Sequence, residues 1–471
     1  MSVQRRVLLW FALISAQIAL LLAIANPWGA FKEWEMLLCT AALLFLVAFT
    51  FARKDARGGT TLPLILWFGL AGGLGLRALA YLANTAPSAG LGFDLFAGQA
   101  VLQGLNPYAY SAEALLGGGL RVGEAALERS RDLVAGSPQL TQWLTQVTPA
   151  ETKVNTALLT LPFLALSQVL TPGSPQAWYG ILLASDACTL ALLFLLLRRL
   201  RRPLGWALLF WVNPIWLFAV FLPGAAMALL GPLLLLAVWA SISERSALAG
   251  FLLALAAAFN VWLAALLALF LRSAGRRPSA WRRAAYGLVG FILISALLWS
   301  LHLAFGAQGH WFGGLTAAPV SGIDPLGYLL PQDGSSGWVA GFARLVPSLF
   351  LVALVITGGL AAWPPLPDQG QRAIRAGFLG FFALVLAGSL QPQALLAVII
   401  LLPLARSPTL VLASGFGLLV AGLSGLNIGI AGLSPDLTAR LGLVGVVGLV
   451  FCVAWLSSIR RNQALEQMNR I

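Results

Sequence analysis

Leu91-Gly-Phe-Asp-Leu-Phe-Ala-Gly-Gln-Ala-Val-Leu-Gln-Gly-Leu-Asn-Pro-Tyr108 closely follows an apolar run and opens the longest polar segment of the chain. Pro107 fixes its own φ and pushes Asn106 out of helical geometry, so Asn106-Pro107-Tyr108 reads as a turn. Leu95 to Gln103 reads as one short helical run. Asp94 is then a lone carboxylate near the point where the preceding span leaves a membrane, ahead of a short helix and a hard stop.

Composition sets the solvent of the whole chain. Of 471 residues, 59% are hydrophobic and 10% are charged, which reads as a polytopic membrane protein rather than a soluble domain with an anchor. The net charge of +13 would point to nucleic acid in a soluble protein. Here the basic residues fall in short loops between apolar spans, the positive-inside pattern, and no basic face alternates with exposed aromatics. Cys39, Cys188 and Cys452 all lie in apolar spans and read as small buried hydrophobes. His302 and His310 are the only histidines, so no zinc or haem ligand set is expected, and no P-loop is present. The first apolar span, Val7 to Ala25, lacks a cleavage pattern and reads as a membrane helix.

Working outward, Arg5 and Arg6 put the N-terminus in the cytoplasm. Met36 to Ala52 returns to Arg53, Lys54 and Arg57, and Leu62 to Ala83 goes out. Asn84 to Lys153 is then extracytoplasmic, with Ala114 to Val134 and Gln139 to Gln146 patterned to lie on the bilayer as interfacial helices. If both Val154 to Leu170 and Ala177 to Leu197 crossed, Arg198, Arg199, Arg201 and Arg202 would lie outside. The first of the two is therefore expected to enter and return, with Thr171 to Pro175 at the outer surface. Leu204 to Phe221 goes out and Gly224 to Ala240 comes back. Ala247 to Leu271 reads as two half-helices meeting near Asn260, or as one tilted span. Ala285 to Phe305, Phe342 to Trp363, Ala376 to Leu390, Ala394 to Leu404, Leu410 to Ile430 and Leu441 to Leu456 complete about 12 spans, ending inside at Arg460 and Arg461. The expected organisation is an all-α bundle with re-entrant half-helices: a hairpin over 1–60, a core module over 61–284 containing the loop 84–153, and further transmembrane helices over 285–471.

Each polar group has two readings. Asp94 is a general base with a raised pKa beside apolar walls, or the N-cap of Leu95 to Gln103. Arg77 holds a phosphate or pairs with Asp94, or it snorkels outward. Asp186 is the only acid deep in an apolar span; it is a proton-coupling group in need of a partner, or a hydrogen-bonded structural acid. Glu151 and Lys153 stand just before the re-entrant segment as a binding pair or a surface pair. Asn213-Pro214 kinks its span. Asp324 and His310 lie in the second outer loop, where solvated loop residues are the plain reading.

The order of these pieces resembles the bacterial membrane-embedded GT-C glycosyltransferases, in particular the polyprenol-phosphate-mannose-dependent mannosyltransferases. Asp94 starts a run ending in Gly104-Leu-Asn-Pro-Tyr108. A Pro-containing short helix follows, Leu159-Thr-Leu-Pro-Phe-Leu-Ala-Leu166, then Leu183-Ala-Ser-Asp186, Trp211-Val-Asn-Pro-Ile215 and Ala247-Leu-Ala-Gly250. The likeness covers about residues 60–275. Ser389-Leu-Gln-Pro-Gln393 falls where the family often carries a His-Pro-Trp-Tyr-like stretch. The chain departs from the family in the residues after Asp94, in Lys153-Val-Asn-Thr156, in Leu222-Pro-Gly-Ala-Ala226 and at Asn260, where the family has Lys.

The resemblance implies an inverting hexosyltransferase, mannose or another hexose being moved from a polyprenyl-phosphate donor to an extracytoplasmic lipid or glycan acceptor. Asp94 would be the catalytic base. Arg77, Glu151, Lys153, Asn106, Tyr108, Asn260, Gln391 and Gln393 would bind substrate. No cofactor is required, the other partners are membrane lipids, and the setting is the bacterial inner membrane with both termini cytoplasmic. A non-catalytic, lipid-binding scaffold of the same architecture and a secondary transporter with broken helices are the other readings.

Overall fold

The structure is a computed structural model and describes residues 3–24, 43, 61–83, 89–108, 115–116, 125–136, 141, 145, 158–222, 224–259, 263, 278–304 and 399–404. Among the described residues the chain is mostly helical and forms no strand. Helices α1 (Val3–Ile24) and α2 (Thr61–Ala83) pack together, and Ile14 fills the space left by Gly72. After α2 come α3 (Ala89–Leu102) and α4 (Ala125–Ala135), then a 3₁₀ turn, Leu158–Thr160, that runs into α5 (Leu161–Leu170). A short turn leads to α6 (Gln176–Arg199). An interrupted stretch over 204–229 precedes α7 (Leu230–Ile242), α8 (Ser246–Phe259) and α9 (Pro278–Ala304).

Among the described residues, two helices are long and apolar enough to cross a bilayer. They are α2, over Ile65–Leu82 with mean hydropathy 1.5, and α6, over Gln176–Arg199 with mean hydropathy 2.2. Large apolar side chains such as Trp67, Leu82 and Leu195 stay exposed on them, as a helix surface facing lipid would. The segment Leu158–Leu170 measures about 20 Å at 1.5 Å per residue, short of a ~30 Å hydrocarbon core. The spans expected from Phe342 onward lie outside the described residues, apart from 399–404, as does Met36 to Ala52 apart from Leu43.

Helix α3 begins earlier than its sequence indicates. It starts at Ala89, so Asp94 sits inside it, and the expected helix over Leu95 to Gln103 with Asp94 at its cap is corrected. Asp94 is the only charge in a run that no proline interrupts before Gly104. Gly104, at φ +70, ends the helix. Leu105 N–H reaches back to Ala100 O at 2.8 Å and Gly104 N–H to Val101 O at 3.0 Å, which satisfies carbonyls the helix end would orphan. Helix α3 packs on α5 so closely that a Cβ at Gly98 would lie 2.7 Å from the Leu164 carbonyl. Gln99 Nε2 donates across the contact to Gln168 Oε1 at 3.0 Å, and Gly173 N–H donates to the same oxygen at 2.9 Å.

The interfacial expectation for Ala114 to Val134 also changes. The described part of this stretch includes helix α4, Ala125–Ala135, and Leu127, Ser130, Leu133 and Val134 are buried, with Leu133 and Val134 in the protein core. The polar face, Glu128, Arg129 and Asp132, is exposed. Cys188, expected to be buried, is exposed on α6. Helices α7, α8 and α9 pack in sequence. A Cβ at Gly250 would lie 1.9 Å from Gly287 O, and one at Gly290 would lie 2.7 Å from Ala247 O. This is the small-residue contact by which apolar helices associate in lipid.

A candidate functional site: a buried ion pair and an outer carboxylate

The stretch from Leu204 to Phe221 is not one helix. It runs as a 3₁₀ turn (Leu204–Ala207), a turn of α-helix (Leu208–Trp211), a break, then Pro214–Trp216 and a π-helical turn, Leu217–Phe221. Pro214 has no N–H to offer, so Phe210 O loses its usual donor, and the break leaves the carbonyls around it to be satisfied in other ways. Leu208 O keeps its helical donor, Val212 N–H at 3.1 Å, while Phe210 O accepts from Asn213 N–H at 3.2 Å. Leu209 O accepts from Asn213 Nδ2 at 3.0 Å. Trp211 O accepts from Arg77 Nη1 at 2.6 Å, and Val212 O from Gln17 Nε2 at 3.1 Å. Asn213 Oδ1 caps the restarted helix by accepting from Trp216 N–H at 3.2 Å. A broken backbone is tolerated in an apolar interior only when its polar groups are satisfied in this way.

Arg77 and Asp186 form the centre of this arrangement. Arg77 Nε donates to Asp186 Oδ2 at 2.7 Å, with the two side chains 1% and 0% exposed. Trp216 Nε1 donates to Asp186 Oδ1 and Oδ2 at 3.0 and 3.2 Å. The guanidinium carbon lies 4.0 Å from the centroid of the Trp211 ring. Gly73, one turn before Arg77, makes room: a Cβ there would sit 2.3 Å from Trp211 Cδ1. Trp211 Nε1 in turn donates to Leu70 O at 2.9 Å. Arg77 therefore pairs with Asp186, which corrects both the expected pairing with Asp94 and the outward snorkel. Its guanidinium is held beneath protein on all sides, away from any phosphate at the surface.

Helix α6 continues the same service toward its N-terminal end. Trp178 Nε1 donates to Gly224 O at 2.8 Å, Tyr179 Oη to Leu222 O at 2.7 Å and Ser185 Oγ to Ala228 O at 2.9 Å. One face of α6 thus holds the interrupted stretch over 204–229 in place.

The outer carboxylate is a separate feature. Asp94 is half-buried on α3, between the buried Phe93 and Leu95. Past the end of α3, Asn106 Oδ1 accepts from Tyr108 N–H at 3.0 Å and closes the expected turn. Tyr108 is buried, and its phenol is pushed well above its ordinary range, by burial first and by the charge of Asp94 second. The turn so brings Tyr108 within electrostatic reach of Asp94. Asn106 is exposed and shapes the turn through its side chain.

Of the other residues expected to bind substrate, Glu151, Lys153, Asn260, Gln391 and Gln393 lie outside the described residues. Helix α8 is described as far as Phe259, and the expected break near Asn260 lies outside the described residues. Gln17, Trp211 and Trp216 are participants that sequence reading did not single out. For Gln17 the available signal was an amide in mid-span. The two tryptophans look like any other apolar residue until their N–H groups are placed. Comparison with family models, with curated proteins and with solved structures finds no match.

Proposed function

We propose that the chain is a GT-C-like membrane glycosyltransferase with about 12 spans, set in the bacterial inner membrane with both termini cytoplasmic. It moves a hexose from a polyprenyl-phosphate donor to a lipid or glycan acceptor at the extracytoplasmic face. The observation that carries this reading is Asp94: a half-exposed carboxylate inside α3 that is not used as a helix cap, with Tyr108 in its field. Asp94 takes the proton of the attacking acceptor hydroxyl. The acceptor oxygen bonds to the anomeric carbon as the bond from that carbon to the phosphate oxygen breaks, and polyprenyl phosphate leaves with inversion. With Arg77 bound to Asp186, Lys153 is the cation assigned to the departing phosphate. Asn106 and Tyr108 line the approach, and Glu151, Asn260, Gln391 and Gln393 complete the substrate contacts.

A second reading is favoured by one observation. The Arg77 guanidinium is occupied by Asp186 and by backbone carbonyls. A scaffold that keeps the architecture and binds lipid without catalysis needs no more than that. Transfer of labelled sugar from polyprenyl-phosphate-mannose and -glucose to membrane lipids separates the two. The enzyme transfers, and Asp94→Asn lowers transfer by about 10²–10⁴ without loss of donor binding. Donor binding with no transfer by the wild type leaves the scaffold.

A further inference from the structure

We propose that the C-terminal ends of α6 and α7 together form a binding site for the headgroup of an anionic phospholipid. Helix α6 ends in Arg198 and Arg199, followed by Arg201 and Arg202; α7 is followed by Glu244 and Arg245. Both ends are closed by left-handed residues, Arg201 at φ 54 and Glu244 at φ 60, which turn the chain back on itself. Arg202 N–H then reaches Leu197 O at 2.8 Å, and Arg245 N–H reaches Ala240 O at 2.9 Å. The two ends are joined: Arg199 Nη1 donates to Ser243 Oγ at 2.8 Å. Arg199 and Arg245 also share one aromatic ring, with guanidinium carbons 6.0 and 5.7 Å from the centroid of Trp239. Two cations, one at the end of α6 and one in the turn after α7, thus converge on a single tryptophan.

Charge decides what such a place attracts. The cluster holds five arginines against Glu244, and four of the five, Arg198, Arg199, Arg201 and Arg245, are exposed. Two helix C-termini add roughly one negative charge between them, leaving about three positive charges. One or two basic residues would answer the helix dipoles; five exceed them. The cluster sits at the end of a helix apolar enough to cross a bilayer. A tryptophan at that level is an ordinary membrane-interface residue. Basic clusters that follow a membrane helix attract anionic headgroups, each arginine adding about fivefold in affinity. Arg199 and Arg202 also make structural bonds, to Ser243 Oγ and Leu404 O. The side chains offered to the lipid phosphate are Arg198, Arg201 and Arg245, beside the indole of Trp239. This inference does not depend on the catalytic reading.

The test uses the full chain in nanodiscs of mixed phosphatidylglycerol and phosphatidylcholine, with a photoactivatable phosphatidylglycerol as the probe. The expected result is crosslinking within 198–202 and 239–245, and enrichment of the anionic lipid that falls tenfold or more, roughly, in Arg198→Gln/Arg245→Gln. Arg198→Lys/Arg245→Lys should restore it, and Arg282→Gln, an exposed arginine on α9, should leave it unchanged. Equal retention of the two lipids, or full enrichment in the double Gln variant, would overturn the proposal. So would displacement of the lipid probe by inorganic phosphate, which would make this a site for free phosphate. If the Gln variant fails to fold, wild type in about 1 M salt decides, because exposed charges are screened there: retained enrichment contradicts the proposal.

Discussion

At the scale of the residue, Arg77 and Asp186 commit their charges to each other. Arg77 and Asp186 were each legible as unusual, being ionisable groups inside apolar runs. Their partnership was not, because it joins positions 109 residues apart in the chain. Breaking a buried pair strands a charge. Arg77→Met and Asp186→Leu are each expected to cost about 3–5 kcal/mol in unfolding measurements, and the double variant less than either single one. Singles within about 0.5 kcal/mol of wild type would remove the pair from the account. Tyr108 gives a pH prediction. Its phenol titrates higher in the folded chain than in the unfolded one, so above about pH 10 the unfolded state binds fewer protons. The resulting stability is complete below that pH and is lost as pH rises beyond it. Tyr108→Phe should flatten this alkaline loss and remove a late-ionising tyrosine from the ultraviolet titration. An unchanged alkaline limb would contradict the placement of Tyr108.

At the scale of the element, hydropathy predicted where helices exist better than where they begin. Asp94 resembles a cap when only its sequence neighbours are considered, yet α3 already runs from Ala89. Its packing against α5, through Gly98 and Gln99, shows in no local pattern. Asn213-Pro214 was legible as a kink, yet its cost is met by Gln17 and Arg77 from other helices. Asn213→Ala removes a cap and a carbonyl donor together and should destabilise by about 2 kcal/mol. Asn213→Asp, which keeps the accepting oxygen, should recover part of that. Glycines make a sharper comparison. Gly98→Ala forces a methyl onto the Leu164 carbonyl and is expected to cost about 1–3 kcal/mol. Gly180→Ala in α6 meets nothing within 4 Å and should gain about 1 kcal/mol from helix propensity. Equal thermal midpoints for the two variants would deny the close α3–α5 contact.

At the scale of the whole molecule, composition alone indicated the solvent, and α2 and α6 have the length and apolarity that reading needs. What sequence could not supply was which polar groups are committed to the fold. Arg77 looked like a phosphate ligand and is committed to the ion pair. Asp94 looked like a cap and lies inside a helix. The central claim is that Asp94 carries the reaction while Asp186 carries the fold. Single-turnover sugar transfer from a polyprenyl-phosphate donor by Asp94→Asn, beside wild type and at matched folded fraction, tests it most directly. The account predicts wild-type stability, retained donor binding and a transfer rate lower by about 10²–10⁴. Transfer by Asp94→Asn at the wild-type rate would contradict it.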